Sequence, residues 1–206
     1  MPEGWEVVAL KRRCNVIDCK HTTPIYSDEG IPIVSPGDLK PYTINLNGSR
    51  KITEEQFKDL TEGERMPSAG DIIYSRNASV GSAAFVDGKE VFCMGQDVCL
   101  IRSTYLESAY LEALLNSHFV VEQLQSIMVG STFKRINISQ IREFKLLVPS
   151  IQEQLKTLAY MKNKTTQIDT AISGIRQEIA LLQEYRQALI FEAVTGKVDV
   201  REAAKK

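Results

Sequence analysis

Long apolar runs are absent from the 206-residue sequence, and no stretch approaches the ~18–20 apolar residues that a transmembrane helix needs. The first residues carry Glu3 where a secretory signal peptide carries Lys or Arg, and no apolar segment follows. Only four cysteines occur, which do not suggest a disulfide framework in a chain of this size. These absences predict a cytoplasmic protein with reduced thiols and no membrane association.

A net charge is nearly absent as well. Twenty-five Lys and Arg residues against 26 Asp and Glu residues leave −1 at pH 7. Nonspecific nucleic-acid binders usually carry a large positive excess, because phosphate neutralisation drives their affinity. With 43% apolar and 25% charged residues, the chain instead has the composition of an ordinary globular protein. Its length allows one domain of about 150 residues and an appendage, or two small domains.

Catalytic motifs are also missing. The sequence has no G-x-x-x-x-G-K-[ST], no G-x-G-x-x-G after a strand, no G-x-S-x-G and no H-E-x-x-H. Cys14, Cys19 and His21 could donate to zinc, but their spacing is not that of a C-x-x-C site, so buried thiols are the better interpretation. Glu143-Phe144-Lys145 has the E-x-K form found in nucleases, yet no leading acidic residue lies on a nearby strand. We therefore predict a non-catalytic chain without a metal or a cofactor of its own.

The C-terminal quarter contains a long amphipathic pattern. Between Ser150 and Val194 there is no Pro and only one Gly, Gly174. Ser150 and Glu153 form the S-x-x-E capping box of a helix start, and Gly196 marks the end. Because a single narrow apolar stripe must be buried against another helix, residues 150–196 are predicted to form a coiled-coil spacer and dimerisation helix. The predicted seam, with spacings of four and three, comprises Leu155, Leu158, Ile168, Ile172, Ile175, Ile179, Leu182 and Leu189.

The preceding residues, 1–149, show the pattern of a mixed α/β domain, so the predicted fold class is α+β with a C-terminal tail at 197–206. Thr53 with Gln56 predicts a short helix, and Thr104 with Glu107 predicts one longer helix that ends before Gly130. Apolar, β-branched stretches predict strands at Ile31–Val34, Asp71–Tyr74, Ala83–Val86, Val98–Ile101 and Phe144–Val148.

Two polar stretches are candidate nucleic-acid contacts. In the first, a buried strand leads into a loop with Arg76 and Asn77, whose paired donors and acceptors suit guanine and adenine edges. The second lies between Gly130 and Asn137, where hydroxyls and adjacent cations could cradle a phosphate. The alternatives are a solvated turn in the first case and a helix C-terminus with complementary cations in the second. Arg50-Lys51 is a third, weaker basic loop.

Acidic residues oppose this hypothesis at one place. They concentrate on the short helix after Thr53 and on its exit, at Glu54, Glu55, Asp59, Glu62 and Glu64. Because carboxylates repel phosphate, we expect this helix to face away from bound DNA.

Several short strings, taken in order, resemble the specificity (S) subunit of a type I restriction–modification enzyme, in the form of one target-recognition domain followed by one conserved helical region. The opening loop departs from the family because Lys20-His21-Thr22-Thr23-Pro24 has no Gly before Thr-Pro. The landmarks are Trp5-Glu6-Val7-Val8, Thr22-Thr23-Pro24, Gly30-Ile31-Pro32-Ile33-Val34, Gly70-Asp71-Ile72-Ile73 through Gly81, Gly130-Ser131-Thr132, Val148-Pro149-Ser150-Ile151-Gln152-Glu153-Gln154, Glu184-Tyr185-Arg186-Gln187-Ala188-Leu189-Ile190 and Val194-Thr195-Gly196-Lys197.

The resemblance implies a subunit that reads DNA and catalyses nothing. Its helical region would pair antiparallel and dock methyltransferase (M) subunits, which carry S-adenosylmethionine, while a restriction (R) subunit would supply ATP- and Mg²⁺-dependent cleavage. A complete S subunit has two such halves, so this chain is expected to be either a natural half-subunit or a piece of a longer one. As a half-subunit it would form a homodimer that recognises an interrupted palindrome.

The predicted DNA-binding residues lie in four loops, and Arg76 and Asn77 are predicted to read bases while Lys134 and Arg135 contact phosphates. The full set is Thr22, Thr23, Ser27, Ser49, Arg50, Lys51, Ser75, Arg76, Asn77, Ser79, Thr132, Lys134, Arg135 and Asn137. The alternative is a dimeric scaffold that binds no DNA, which explains the neutral charge better and the loop chemistry worse. A nuclease that uses Glu143 is a third interpretation.

Overall fold

The computed structural model describes residues 2–103, 105–128 and 135–201. The chain forms two compact units, Met1–Leu158 and Ala159–Lys206. The strands are β1 (Glu6–Ala9), β2 (Cys14–Asp18), β3 (Ile31–Val34), β4 (Leu39–Lys40), β5 (Thr43–Ile44), β6 (Arg50–Ile52), β7 (Ile72–Ser75), β8 (Ala83–Phe85), β9 (Cys93–Met94), β10 (Val98–Ser103) and β11 (Lys145–Val148). The helices are α1 (Glu54–Leu60), α2 (Ser108–Leu115), α3 (His118–Met128), α4 (Ile138–Arg142) and α5 (Ile151–Val194), with 3₁₀ turns at Leu10–Arg12 and Pro36–Asp38.

A four-stranded antiparallel sheet with the order β2-β10-β7-β8 forms the centre of the first unit. Successive side chains of β7 point to opposite faces, so Ile72 and Ile73 belong to two different hydrophobic cores. On β10, Ile101 and Leu100 divide in the same way. Because both faces of this sheet are buried, its central strands are continuous apolar runs in the sequence.

The larger core lies between one face of this sheet and the helices α2, α3 and α4. Tyr74 and Phe144 meet there edge to face, with ring centroids 6.3 Å apart. Strand β11, which follows Phe144, pairs antiparallel with β1. The smaller core, on the other face, includes Val34 of β3, and β3 belongs to a second sheet with the order β6-β3-β9.

The five predicted strands are present, with bounds that differ from the predictions by at most two residues. Strands β1, β2, β4, β5, β6 and β9 were not predicted. The prediction of a short helix after Thr53 is also confirmed, since the Gln56 N–H donates to the Thr53 hydroxyl at 3.4 Å.

The prediction of one long helix after Thr104 is wrong, because two helices, α2 and α3, occupy this region. The first turn of α2 follows Glu107, and Thr104 lies outside the described residues. The break has a tertiary cause at Asn116. Its side chain accepts from the Ala83 N–H at 3.1 Å and donates to the Ala83 carbonyl at 2.9 Å, so it occupies the free edge of β8.

Helix α5 begins and ends where the sequence predicts. The Ser150 N–H donates to Glu153 Oε2 at 3.1 Å and the Glu153 N–H donates to Ser150 Oγ at 3.4 Å, which completes the capping box. At the other end Gly196 has φ +71°, and the Lys197 N–H donates to the Glu192 carbonyl at 2.9 Å. The predicted α+β class with a long C-terminal helix is thus confirmed. None of the helices in the described residues has the length and apolarity that a membrane span requires.

Candidate nucleic-acid interface

Five of the predicted DNA-binding residues belong to one surface, which we call the loop surface: residues 22–27 together with β6. The Ser27 N–H donates to the Lys51 carbonyl at 2.9 Å, so the loop continues the strand pairing of β6. Arg50 stacks on the ring of Tyr26, with its guanidinium carbon 4.4 Å from the ring centroid. Both threonines of the loop are exposed, as are both cations of β6. The predicted members of this surface are Thr22, Thr23, Ser27, Arg50 and Lys51.

Gly30 permits the close approach of this loop to β6. Its φ is +129°, and a Cβ at this position would lie only 2.2 Å from the carbonyl oxygen of Ile52. No other residue type fits this contact without moving the backbone. Ser49, also predicted, lies in the turn before β6, where its hydroxyl donates to the Asn45 carbonyl at 2.8 Å.

Tyr26 is a member of the loop surface that the sequence did not predict as a contact. It is 45% exposed and provides the platform on which Arg50 stacks. An aromatic residue two positions after Pro24, in a segment rich in turn-forming residues, was the available signal.

The acidic helix α1, which we expect to face away from bound DNA, contacts the loop surface at Ile25. The Ile25 N–H donates to Gln56 Oε1 of α1 at 2.9 Å. Lys20 Nζ lies 2.6 Å from Asp59 Oδ1 and 3.0 Å from Glu62 Oε2, and the hydrogen bonds to these two carboxylates raise the pKa of Lys20. Helix α1 therefore holds the loop in place and neutralises Lys20.

The burial of Arg76 opposes the prediction that this side chain reads bases. Arg76 is only 4% exposed. Its Nη1 forms an ion pair with Asp18 at the end of β2, and its Nε donates to the Ile136 carbonyl at 3.3 Å. Because Nη1 and Nε are bound to protein acceptors, Arg76 joins the end of β2 to the segment before α4.

The other polar residues of the same loop also contact the protein. The Ser75 hydroxyl donates to the Asn77 carbonyl at 2.8 Å, and Ser79 Oγ donates to the Pro36 carbonyl at 2.5 Å. Asn77 is half-buried, and its Nδ2 donates to Asp97 Oδ2 at 3.1 Å. Both ends of the Asn77 amide are engaged, since its Oδ1 accepts from the Ala78 N–H at 2.8 Å. In this arrangement the polar side chains of Ser75, Asn77 and Ser79 all form hydrogen bonds with other protein groups.

The second predicted stretch is described only from Arg135 onward, so Thr132 and Lys134 lie outside the described residues. Arg135 is exposed, and its Nη2 lies 2.9 Å from Asp97 Oδ1. Asn137, also exposed, precedes α4, where its N–H donates to Gln140 Oε1 at 2.9 Å. Asp97 thus contacts both Asn77 and Arg135, which joins the two predicted stretches.

The zinc hypothesis for Cys14, Cys19 and His21 is not favoured by the geometry. The ligand atoms that lie within 4.8 Å of one another belong to Asp18, Cys19 and His21, and Cys14 is not among them. Asp18 already accepts from Arg76, and burial raises the pKa of the Cys19 thiol. A buried guanidinium and a protonated thiol both oppose cation binding.

The predicted dimerisation seam is exposed along most of α5. Its six members in the second unit, Ile168, Ile172, Ile175, Ile179, Leu182 and Leu189, have exposed fractions between 40% and 59%. Leu155 is 49% exposed. Leu158 corrects the prediction, because it is half-buried against the larger core of the first unit and so does not belong to an exposed seam.

A family model described as the type I restriction modification DNA specificity domain matches residues 2–181. A putative specificity subunit of the type I restriction enzyme MjaX from Methanocaldococcus jannaschii is 24% identical over 215 residues, which cover 100% of this chain and 49% of the relative. A putative specificity subunit from Haemophilus influenzae, S.HindORF215P, is 23% identical over 163 residues, which cover 76% of this chain and 42% of the relative.

Solved structures with the same fold come from the same kind of system. The HsdS subunit from Thermoanaerobacter tengcongensis has a TM-score of 0.64 and 19% identity, over 96% of this chain and 46% of its own. A chain from a structural study of complex assembly and conformational transition of the type I R-M system has a TM-score of 0.69 and 21% identity, over 94% of this chain and 46% of its own. The chain therefore spans about half the length of the curated relatives and solved chains that it matches.

Proposed function

The chain belongs to the family of type I restriction–modification DNA specificity domains, and from this membership we propose that its globular domain recognises one half of a bipartite DNA target. The family consists of specificity subunits, which are non-catalytic. We assign target recognition to residues 1–149 and the spacer function to the helix 150–196.

The observation that carries this proposal is the loop surface. Arg50 stacks on Tyr26 without a carboxylate partner among the described residues, and Lys51 beside it is exposed. A guanidinium that lies over an aromatic ring without a carboxylate partner has donors available for phosphates or for guanine. The hydroxyls of Thr22 and Thr23 add smaller donors and acceptors on the same surface. Arg50 and Lys51 therefore replace Arg76 as the proposed principal contacts, while Asn77 and Arg135 remain secondary candidates.

The exposed seam of α5 supports the second part of the proposal. Six large aliphatic side chains on one helix face require a covering surface, and a second α5 in antiparallel orientation would cover them in a coiled coil. Since the chain spans about half the length of its relatives, two copies would supply two recognition domains. Two identical halves about a two-fold axis would read an interrupted palindrome.

Charge indicates the order in which this assembly forms. The net charge of −1 and the acidic helix α1 beside the loop surface both oppose DNA binding by an isolated copy. We propose that M subunits, which would carry S-adenosylmethionine, dock before DNA, and that an R subunit with ATP and Mg²⁺ adds cleavage.

The test uses the chain assembled with its M subunits, after methylome sequencing has identified the target. Competition between the target and a duplex with one scrambled half-site measures selectivity. Arg50→Ala with Lys51→Ala should weaken target binding roughly 30- to 900-fold, since each of the two lost base or phosphate contacts costs roughly 1–2 kcal/mol.

The control for this experiment is Lys40→Ala with Lys89→Ala, which removes two exposed cations elsewhere and should leave binding within a few fold of the native complex. A native complex that binds both duplexes equally would contradict DNA recognition and favour the scaffold alternative. Unchanged selectivity and affinity in the Arg50 and Lys51 variant would contradict the assignment of the loop surface.

A further inference from the structure

Three successive cations, Lys11, Arg12 and Arg13, occupy the 3₁₀ turn that follows β1 and the residue after it. The Leu10 N–H donates to the Phe144 carbonyl at 2.8 Å, so this turn lies against the segment between α4 and β11. Two more cations flank that segment, Arg142 at the end of α4 and Lys145 at the start of β11. We call these five residues, Lys11, Arg12, Arg13, Arg142 and Lys145, the basic face.

Few carboxylates accompany the basic face. Glu143 Oε1 lies 2.5 Å from Lys11 Nζ and Glu6 Oε2 lies 2.9 Å from Arg13 Nη2. The hydrogen bond from Lys11 and the nearby charges of Lys145 and Arg12 hold the pKa of Glu143 below its usual value. Five cations and two carboxylates leave a net charge of +3 at a place where the rest of residues 1–150 has 11 basic against 17 acidic residues.

Three of the five cations remain available to a ligand. Arg12, Arg142 and Lys145 are exposed, and none of them forms an ion pair within residues 2–103, 105–128 and 135–201. Arg142 is held in place by its protein contact, because its Nη2 donates to the Val16 carbonyl at 3.0 Å. Held guanidinium groups lose less side-chain entropy when they bind a phosphate.

A groove of about 480 Å³ adjoins the turn and is lined by Lys11, Arg12, Arg13, Arg102 and Tyr105, among others. The guanidinium of Arg13 stacks on Tyr105, with 4.5 Å between the guanidinium carbon and the ring centroid. The Nε of Arg13 is buried and has no hydrogen-bond partner in the described part of the chain. Glu64 is the acidic residue of this lining, and it accepts from Asn15 Nδ2 at 3.2 Å.

We propose that the basic face binds the sugar–phosphate backbone of double-stranded DNA and fixes the position of the domain on the duplex. This inference rests on the proposed function and adds to it a second, sequence-independent contact. Phosphate contacts set register and orientation, whereas base contacts give specificity.

Strand β2 is the short connection along the chain between the two surfaces. Strand β2 begins at Cys14, directly after the basic turn, and ends at Asp18, which precedes the loop surface. Four residue steps of a strand span about 13 Å, which is less than half of the ~34 Å helical turn of B-DNA. One duplex can therefore contact the loop surface with a groove and the basic face with a neighbouring strand of phosphates.

The salt dependence of binding tests this inference. Each phosphate contact contributes about 0.9 to the slope of log K against log salt concentration for B-DNA. In the complex with M subunits, Arg12→Ala with Lys145→Ala should reduce the magnitude of this slope by about 1.8. Affinity for target and nontarget DNA should fall by the same factor, so the base preference should not change.

Two further variants serve as controls. Lys40→Ala with Lys89→Ala removes the same charge elsewhere and should leave the slope unchanged. Arg12→Lys with Lys145→Arg preserves the charge and should restore the native slope. Thermal unfolding checks that each variant folds, as expected for exposed side chains.

An unchanged slope in the Arg12 and Lys145 variant would overturn the inference while leaving the proposed function intact if sequence preference is retained. Loss of M-subunit binding with an unchanged slope would also overturn it, because the face would then bind protein. A native complex without any sequence preference would contradict the proposed function instead, and the slope on that nonspecific DNA would still test the basic face.

Discussion

At the scale of single residues, the environment of Arg76 determines its role. A buried charge must be paired and hydrogen-bonded, and Arg76 meets this requirement through Asp18 and the Ile136 carbonyl. Asp18 also accepts from the Cys19 N–H at 2.9 Å and lies 3.1 Å from His21 Nε2. The pair therefore fixes the point where the chain leaves the central sheet and enters the loop surface.

We expect Arg76→Ala to reduce the free energy of unfolding by roughly 3 kcal/mol, because it leaves Asp18 without its partner. This value is near the lower end for broken buried pairs, since the Asp18 side chain is 33% exposed. Urea denaturation measures the change. Arg50→Ala, at an exposed position, should stay within about 0.5 kcal/mol of the native protein. A folded Arg76→Ala protein of native stability with altered base preference would restore the base-reading role.

Sequence reasoning could find Arg76 but not its partner. Asp18 precedes Arg76 by 58 residues, and the two meet only because β10 pairs with both β2 and β7. Arg50 and Lys51 were weaker candidates in the sequence, yet they are exposed whereas Arg76 is buried. Burial separates these cases, and it depends on long-range strand pairing that residue type and spacing do not encode.

At the scale of secondary-structure elements, prediction succeeded where an element carries its own signal. The buried runs of β7 and β10 and the capping boxes of α1 and α5 are local features, and all four elements are present. Strands β4, β5 and β9 have two residues each, too few for a periodicity. Strand β2 alternates between buried and exposed side chains from Cys14 to Val16, so its signal was available and was missed. The break between α2 and α3 depends on Asn116 binding the edge of β8, which no local pattern shows.

The start of α5 should respond to pH through Glu153. Hydrogen bonds from the hydroxyl and N–H of Ser150, and from Trp5 Nε1 at 3.2 Å, hold the pKa of Glu153 below its usual value of 4.5. A lowered pKa in the folded state stabilises the fold above pH 4.5, and this stabilisation is lost as pH falls through the folded-state value.

The measurement compares the unfolding free energies of the native protein and Glu153→Gln as a function of pH. The variant should be less stable at pH 7, and the difference should shrink as pH falls below 4.5. Glu184→Gln removes one carboxylate from the same helix and serves as the control. A difference that does not vary between pH 7 and pH 3 would show that the charge of Glu153 does not stabilise the helix start.

At the scale of the whole molecule, the proposed assembly combines exposed apolar surface with scarce positive charge. The seam of α5 favours association between protein chains. The loop surface and the basic face are small, so they attract DNA locally while the chain as a whole does not. Pairing of two chains doubles the number of cationic surfaces that can engage one duplex. Effective concentration then strengthens DNA binding without any new contact.

Pairing of two α5 helices through the seam predicts that charges placed in the seam prevent self-association. Burial of a Leu or Ile side chain contributes about 1.5–3 kcal/mol, so four such residues, Ile175 and Leu182 from each of two copies, contribute roughly 6–12 kcal/mol. A dimer with a micromolar dissociation constant has only about 8 kcal/mol of association free energy. Ile175→Asp with Leu182→Asp should therefore abolish self-association, which sedimentation velocity measures.

Ser173→Asp with Gln177→Asp adds the same two charges on the opposite side of the helix, at 100° per residue, and should leave the dimer intact. A dimeric Ile175 and Leu182 variant, or a native chain that stays monomeric at high concentration, would contradict pairing through this seam.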